Sequence, residues 1–334
     1  MTKKGLKTAV IGAGMISLYH LRAWQKVGVP VVAICDIDER RAASRAVEFG
    51  IERVYSDPEQ LFKDGGFDLV DIATSVGSHG PLTLAAADAG VHVMLQKPMT
   101  STVAEAEALV RAVGDRVRFM VHENYRYRPH YLTVRRWIDE GRIGVPRHAV
   151  ISVRGSGLCP REGTVPFLIE RQPYLTGFRR NLVFETMIHH LDVLRLIAGP
   201  LRVVAARLNR LAENLPGEDT ASILLENPNG MIATADGCIC APGYPQLHGD
   251  RFEVIGTEGT LVMDLDRVFM VGREQDAEKV DLVGRYQESF DFAVSHFVTC
   301  IETEAPFETD RIDNLETLRL MEDVYRAAGV EVLP

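Results

Sequence analysis

Leu6 to Asp36, LKTAVIGAGMISLYHLRAWQKVGVPVVAICD, decides how the rest of the chain is read. Val10 and Ile11 end an apolar run, and Gly12, Ala13 and Gly14 follow at once. Ile16, Ala23, Trp24 and Val27 then recur at helical spacing up to Gly28, and a second apolar run, Val31 to Cys35, ends on Asp36. The order is strand, glycine turn, helix, strand. In such a unit Gly12 allows the tight turn, and Gly14 lets a diphosphate approach the backbone. The helix start at Met15 and Ile16 offers free N–H groups and the positive dipole end to phosphates. Asp36 stands about 20 residues past the glycines, where a carboxylate takes a ribose 2′-hydroxyl. That charge repels a 2′-phosphate, so NAD is favoured over NADP. Ser17 takes the third small-residue position; G-x-G-x-x-S alone is weak, and the flanking strand, helix and acid give it weight.

A chain of 334 residues implies two domains. Apolar residues at 46% and charged residues at 25% fit a soluble globular protein. Lys+Arg 37 against Asp+Glu 46, a net charge of −9, argues against a nucleic-acid partner. No apolar run nears the roughly 18 residues of a membrane helix, and the opening MTKKG shows no apolar leader. Cys35, Cys159, Cys238, Cys240 and Cys300 are scattered, with no Cys/His set at zinc spacing. No metal is expected, and the cysteines read as small buried groups of a reduced, cytoplasmic protein.

Further along, a helix ends at Gly50, and Asp57-Pro58-Glu59-Gln60 reads as a helix start with Asp57 as cap and Gln60 reaching back. Phe67–Thr74 is a buried strand, Pro81–Ala89 a helix, and His92–Leu95 a fourth strand. Thr102-Val103-Ala104-Glu105 is a capping box, and Arg118–His122 is the last strand of the series. This alternation predicts an α/β fold: an N-terminal Rossmann-type, doubly wound parallel sheet over residues 1–122. Ligands should bind beyond the C-terminal strand ends. From 123 to 334 the rhythm changes to an α+β domain with a large, mostly antiparallel open sheet. Residues 155–182 form an irregular stretch too long for a plain connector, as in a lid or binding loop. Phe184–Ala198 and two terminal helices, about Gln287–Glu304 and Ile312–Ala328, can cover one sheet face. A partner subunit would cover the other, giving a homodimer or homotetramer.

Gln96-Lys97-Pro98 follows the fourth strand directly. A lysine there points into the cofactor crevice, where a positive nicotinamide and low dielectric lower its pKa and suit it to relay a hydroxyl proton. A solvated surface lysine fits the residues equally. Glu185, His189 and Asp192 lie at i, i+4 and i+7, one helix stripe, so a carboxylate can orient an imidazole for acid–base work. Surface ion pairs or a metal site are the other readings, and His190 points away toward the core. Asn124, Tyr125 and Arg126 straddle the domain junction and could line a substrate site. Thr74 and His79 sit in the loop after the third strand and could hold the nicotinamide ribose, with helix capping the plainer role for His79.

Together VIGAGMIS, the CD of VVAICD, DIATSVGSHGPLTLAAADAGVHVMLQKP, ETMIHHLD and VIGTEGTL resemble the Gfo/Idh/MocA family of NAD(P)-dependent oxidoreductases. The resemblance runs from Leu6 to about Gly329. It implies oxidation or reduction of a sugar or cyclitol hydroxyl, with oligomers formed through the open sheet. It implies catalytic roles for Lys97, Glu185 and His189. Gly12, Gly14, Asp36, Thr74, His79, Gln96, Lys97 and Pro98 would bind NAD, and Asp192 would bind substrate. Gln96 replaces the family's usual glutamate, and Glu185 its commoner aspartate. Within the family, QKPM, VHENYRYRP and IHHLDVLR resemble the D-apiose dehydrogenase branch, which implies an aldose such as D-apiose oxidised to its lactone. An NAD-dependent glycosidase and a non-catalytic cofactor sensor share the fold. Net NADH formation separates the first from a dehydrogenase, and the presence of Lys97 and His189 speaks against the second.

Overall fold

Short apolar runs and amphipathic helices alternate through the first third of the chain, and in the computed structural model they build a layered α/β unit. The structure describes residues 5–160, 164–213, 215–247 and 249–331; the expectations for residues 1–4 and for 161–163 of the irregular stretch lie outside these. In chain order the elements begin β1 (Thr8–Ile11), α1 (Ser17–Val27), β2 (Val31–Cys35), α2 (Glu39–Phe49), β3 (Arg53–Tyr55), α3 (Pro58–Asp64), β4 (Leu69–Ile72), α4 (His79–Asp88), β5 (His92–Gln96), α5 (Val103–Val113) and β6 (Phe119–His122). They continue α6 (Pro129–Asp139), β7 (Pro146–Arg154), α7 (Phe167–Arg171), α8 (Ile188–Ala198), β8 (Arg202–Asn209), β9 (Thr220–Glu226), β10 (Ile232–Cys238) and β11 (Gly249–Gly256). Last come β12 (Thr260–Asp264), β13 (Arg267–Met270), β14 (Glu278–Lys279), α9 (Tyr286–Thr303) and α10 (Arg311–Ala327).

Contacts divide the chain into two units: one up to Tyr127 together with Tyr286–Leu318, the other Arg128–Arg285 with the residues from Arg319 on. In the first, six strands run in the order β3-β2-β1-β4-β5-β6, all pairs parallel. This is the doubly wound order, with its switch point between β1 and β4. β1, β4 and β6 are buried at every residue, as expected of a sheet covered on both faces. β3 carries no apolar alternation over its three residues, so the sequence did not announce it; Lys97 therefore follows the fifth strand, not the fourth. Asp57 caps α3 through the Glu59 N–H (2.9 Å), whereas Gln60 reaches forward to Asp64 (2.6 Å) rather than back. The Thr102–Glu105 capping box is formed in both directions. Although the domain cut was expected at residue 123, α9 belongs to the first unit. Its Phe290, Val294, Phe297 and Val298 bury against Leu21 and Trp24 of α1, a match of apolar faces that chain order cannot show.

The second unit holds eight strands ordered β14-β13-β12-β11-β7-β10-β9-β8. All neighbours are antiparallel except β7 and β10. Alternate residues such as Ala149, Ile151, Ala221, Ile223, Ala233 and Ala235 are buried, and α8 packs on β7 and β10. Leu224, Ile232 and Ile255, at the intervening positions, are exposed. Among the described residues no helix is long and apolar enough to cross a membrane.

The tightest constraint lies at the switch point. Gly12 has φ +106°, its N–H donates to the Cys35 carbonyl (2.7 Å), and a Cβ there would stand 2.3 Å from the Ala73 carbonyl oxygen. A Cβ on Gly14 would meet nothing within 4 Å. Gly12→Ala is therefore expected to cost on the order of 2–3 kcal/mol of stability, and Gly14→Ala less than about 1 kcal/mol. Denaturant midpoints measure both, and equal midpoints would contradict the packing described.

Candidate active site

The glycine turn opens onto a helix end left free by its own side chains. α1 has no side-chain cap and no acidic residue in its first turn. Met15 is 44% exposed, and Ile16 is half-buried. Ser17 is fully buried and donates to the Gly14 carbonyl (2.7 Å), so the third small residue seals the turn from below. The open space at Gly14 and the uncapped N–H groups above it fit a diphosphate. Asp36 is fastened beside them: Oδ2 accepts the Ala13 N–H (2.7 Å) and Oδ1 the Asp38 N–H (2.8 Å), with Arg41 at 3.4 Å. Its carboxylate is thus fixed next to the turn, and these residues fit the adenosine diphosphate half of NAD.

After β4, a 3-10 turn over Val76–Ser78 leads into α4, which begins at His79 rather than at Pro81. Ser78 donates its hydroxyl hydrogen to Thr74 Oγ1 (2.8 Å). His79 is fully buried, with Nδ1 2.9 Å from the Pro98 carbonyl oxygen and Nε2 3.1 Å from that of Thr74. The ring therefore sits between the loops after β4 and β5, its one N–H donating to one of the two carbonyls, and its side chain caps no helix end. Burial holds its pKa below the ordinary value near 6.5, against the pull of the carbonyls, and the charge of Lys97 acts in the same direction. Gln96 ends β5 and accepts the Lys97 N–H on Oε1 (2.7 Å). Lys97 is half-buried and Pro98 buried. Of the residues after β6, Asn124 donates to Ser289 Oγ (2.9 Å). Arg126 binds the Glu308 carbonyl (2.7 Å) and the Asp313 carboxylate (2.5 Å). These polar ends are engaged within the first unit, while Tyr125 stays half-buried.

In the second unit the expected continuous helix from Phe184 is corrected. Leu182–Met187 form a π-helical turn, and α8 begins only at Ile188. Glu185 lies in the widened turn, so Glu185 and His189 are not at simple α-helical spacing; such turns recur at functional sites. His189 is 7% exposed and Asp192 fully buried, with Arg195 3.7 Å from it. The turn is anchored by Glu218, which accepts the N–H groups of Asn181 (3.1 Å) and Val183 (3.0 Å) and the hydroxyl of Tyr325 (2.7 Å). Burial raises the Glu218 pKa, and these donors oppose the rise. Tyr174, from the 3-10 turn Pro173–Gly177, hydrogen-bonds Glu185; desolvation of its hydroxyl and the Glu185 charge push the phenol well up. Its sequence signal was only the length of the irregular stretch. His190 faces the core as expected, between the Thr186 carbonyl (3.1 Å) and Asp250 Oδ2 (3.2 Å). Burial alone would raise the Asp250 pKa, but the charges of His190, Arg128 and His130 hold it well below the carboxylate range.

Residues 6–123 match the oxidoreductase family with an NAD-binding Rossmann fold, Gfo/Idh/MocA, and residues 131–262 match the Gfo/Idh/MocA C-terminal domain. The chain belongs to the Gfo/Idh/MocA family. A D-apiose dehydrogenase of Paraburkholderia graminis is 33% identical over 98% of this chain and 88% of its own length. One of Rhizobium rhizogenes is 32% identical over 98% and 97%. The crystal structure of an oxidoreductase from Agrobacterium radiobacter, in complex with NAD+, L-tartaric acid and magnesium, superposes with a TM-score of 0.89 at 31% identity, covering 98% of this chain and 97% of that one. This Gfo/Idh/MocA member is accordingly an NAD-dependent oxidoreductase built on a Rossmann unit and a mostly antiparallel second sheet.

Two measurements follow from the geometry of the first unit. Asp36→Asn, which removes the charge beside the turn and releases Arg41 from it, should narrow the preference for NAD+ over NADP+ at least about tenfold, a difference near 1.4 kcal/mol. Dissociation constants for the two cofactors check it, and an unchanged ratio would contradict the role of Asp36. For His79 the unfolded chain takes up a proton near pH 6.5 that the folded ring resists, so stability is lost as pH falls below that value. The Tm should drop between about pH 7.5 and about pH 5.5, and less steeply in His79→Asn. Parallel slopes would contradict this.

Proposed function

We propose that this enzyme is an NAD-dependent dehydrogenase of a small aldose, with D-apiose the first substrate to test, oxidised at its anomeric carbon to the lactone. The observation that carries this reading is the alignment of two D-apiose dehydrogenases with 98% of the chain. The bound cofactor supplies a two-electron acceptor that takes hydride from the carbinol carbon. Lys97 Nζ holds and polarises the reacting oxygen, and a ring nitrogen of His189 accepts the hydroxyl proton, alone or shared with Lys97. Glu185, steadied by Tyr174, binds a neighbouring hydroxyl, and Asp192 or Glu185 orients the imidazole. Tyr125 is the remaining candidate substrate contact from the residues after β6. The exposed Leu224, Ile232 and Ile255 positions support self-association through the second sheet.

A panel of pentoses, hexoses and cyclitols with NAD+ and NADP+, followed by absorbance of the reduced nicotinamide, tests the substrate. Turnover confined to non-sugar alcohols would defeat it. On the true substrate, Lys97→Ala and His189→Ala should each lower kcat at least about 10²-fold. Near-wild-type kcat in both variants would remove them from the proton path.

A further inference from the structure

Beneath the end of β5 runs a buried polar chain whose members His20, Asp71 and Trp24 have no part in the roles above. His20 on α1 and Asp71 on β4 are fully buried, and Gln96 is 8% exposed. The Lys97 N–H faces Gln96 Oε1 at 2.7 Å. A backbone N–H can only donate, so the oxygen of the Gln96 amide faces Lys97 and its nitrogen faces His20. Gln96 Nε2 lies 3.1 Å from His20 Nε2. An amide nitrogen also only donates, so His20 Nε2 accepts, and the ring hydrogen sits on Nδ1, 2.9 Å from Asp71 Oδ2. Trp24 Nε1 donates to the same carboxylate oxygen at 2.7 Å. Every bond in the chain from Lys97 to Trp24 thus has one possible direction. The imidazole is enclosed by the rings of His122 at 4.4 Å and Phe290 at 5.3 Å.

We infer that Gln96 is a positioning residue: through His20, Asp71 and Trp24 it clamps the backbone of Lys97 to α1, and it does so only as an amide. This rests on the proposed role of Lys97 in the proton path. A carboxylate at position 96 has no hydrogen for His20 Nε2, so two acceptors would face each other. The contact is restored only when a proton is taken up between them, on the introduced acid or on His20, which in the second case lies between two carboxylates, the introduced one and that of Asp71. The other groups facing His20 are His122 from β6, the indole of Trp24 on its own helix, and Phe290 from α9, which carries no charge. The amide therefore completes the hold on Lys97 with its own hydrogens, where a carboxylate would need an added proton.

The test uses the full-length protein with NAD+ and compares wild type, Gln96→Glu and Gln96→Met. Nitrogen-15 NMR of the imidazoles should show His20 with its hydrogen on Nδ1 in the wild type and doubly protonated in Gln96→Glu near neutral pH. In Gln96→Glu, kcat should fall at least about tenfold toward about pH 8.5 and recover toward about pH 6.5, a limb the wild type lacks. Gln96→Met, which can neither donate to His20 nor hold the Lys97 N–H as an amide does, should lower kcat about tenfold at every pH, without the alkaline limb of Gln96→Glu. A wild-type His20 with its hydrogen on Nε2, or a Gln96→Glu enzyme with the wild-type pH profile, would overturn the inference. The NMR readout does not depend on turnover, so its failure is separable from failure of the dehydrogenase reading.

Discussion

One close approach governs the cofactor edge: the Cα of Gly12 passes beneath the carbonyl of Ala73, leaving no space for a Cβ. β1 and β4 are neighbours in the sheet, yet their chains leave it toward opposite flanks, and the turn after β1 must cross where the two diverge. Because Gly12 takes that crossing at positive φ, the next residues can lift the start of α1 over the strand ends. Gly14 then faces open space, Ala13 presents its N–H to Asp36, and Ser17 closes the turn against the sheet. The open space at Gly14 and the fixed carboxylate of Asp36 are consequences of that one packing constraint.

Buried carboxylates recur as anchors in both units. In the first, Asp36 fixes the glycine turn and Asp71 receives both His20 and Trp24. In the second, Glu218 gathers the N–H groups that open the π-turn, and Asp250 pairs with His190. An unpartnered charge in these positions would be costly, and each carboxylate takes at least two hydrogen-bonding partners. The residues proposed to touch substrate stand on segments held by these anchors. Lys97 hangs from Gln96, and Glu185 rides on the turn that Glu218 begins. Rigidity is thereby supplied from beneath, and the half-buried Lys97 and Glu185 are carried on backbone that is already fixed.

What the sequence made legible was local. The glycine turn, the acid ending β2, the Asp57 cap and the Thr102–Glu105 box all depend on residues within a turn or two, or on a fixed unit length. The doubly wound order followed from strand and helix alternation. What it hid depends on distant partners. β3 is recognisable only by its pairing with β2. A π-turn stands in place of the expected α-helical start, and its first N–H groups are held by Glu218, far along the chain. α9 joins the first unit because its phenylalanines match α1, and Tyr174 and Asp250 reach their partners across loops whose spacing carries no period. Asn124 and Arg126 read as site residues from their polarity, but their polar ends are taken by Ser289, Glu308 and Asp313.

Whether the Rossmann edge carries net hydride transfer is settled most directly by isotope. The sugar that gives turnover is supplied with deuterium at its oxidised carbon, and the cofactor and product are separated and examined by mass spectrometry. A dehydrogenase releases NADH bearing the deuterium, together with an oxidised sugar, one for one. Deuterium retained in a sugar of unchanged oxidation state, with NAD+ recovered unreduced, would contradict the dehydrogenase reading outright.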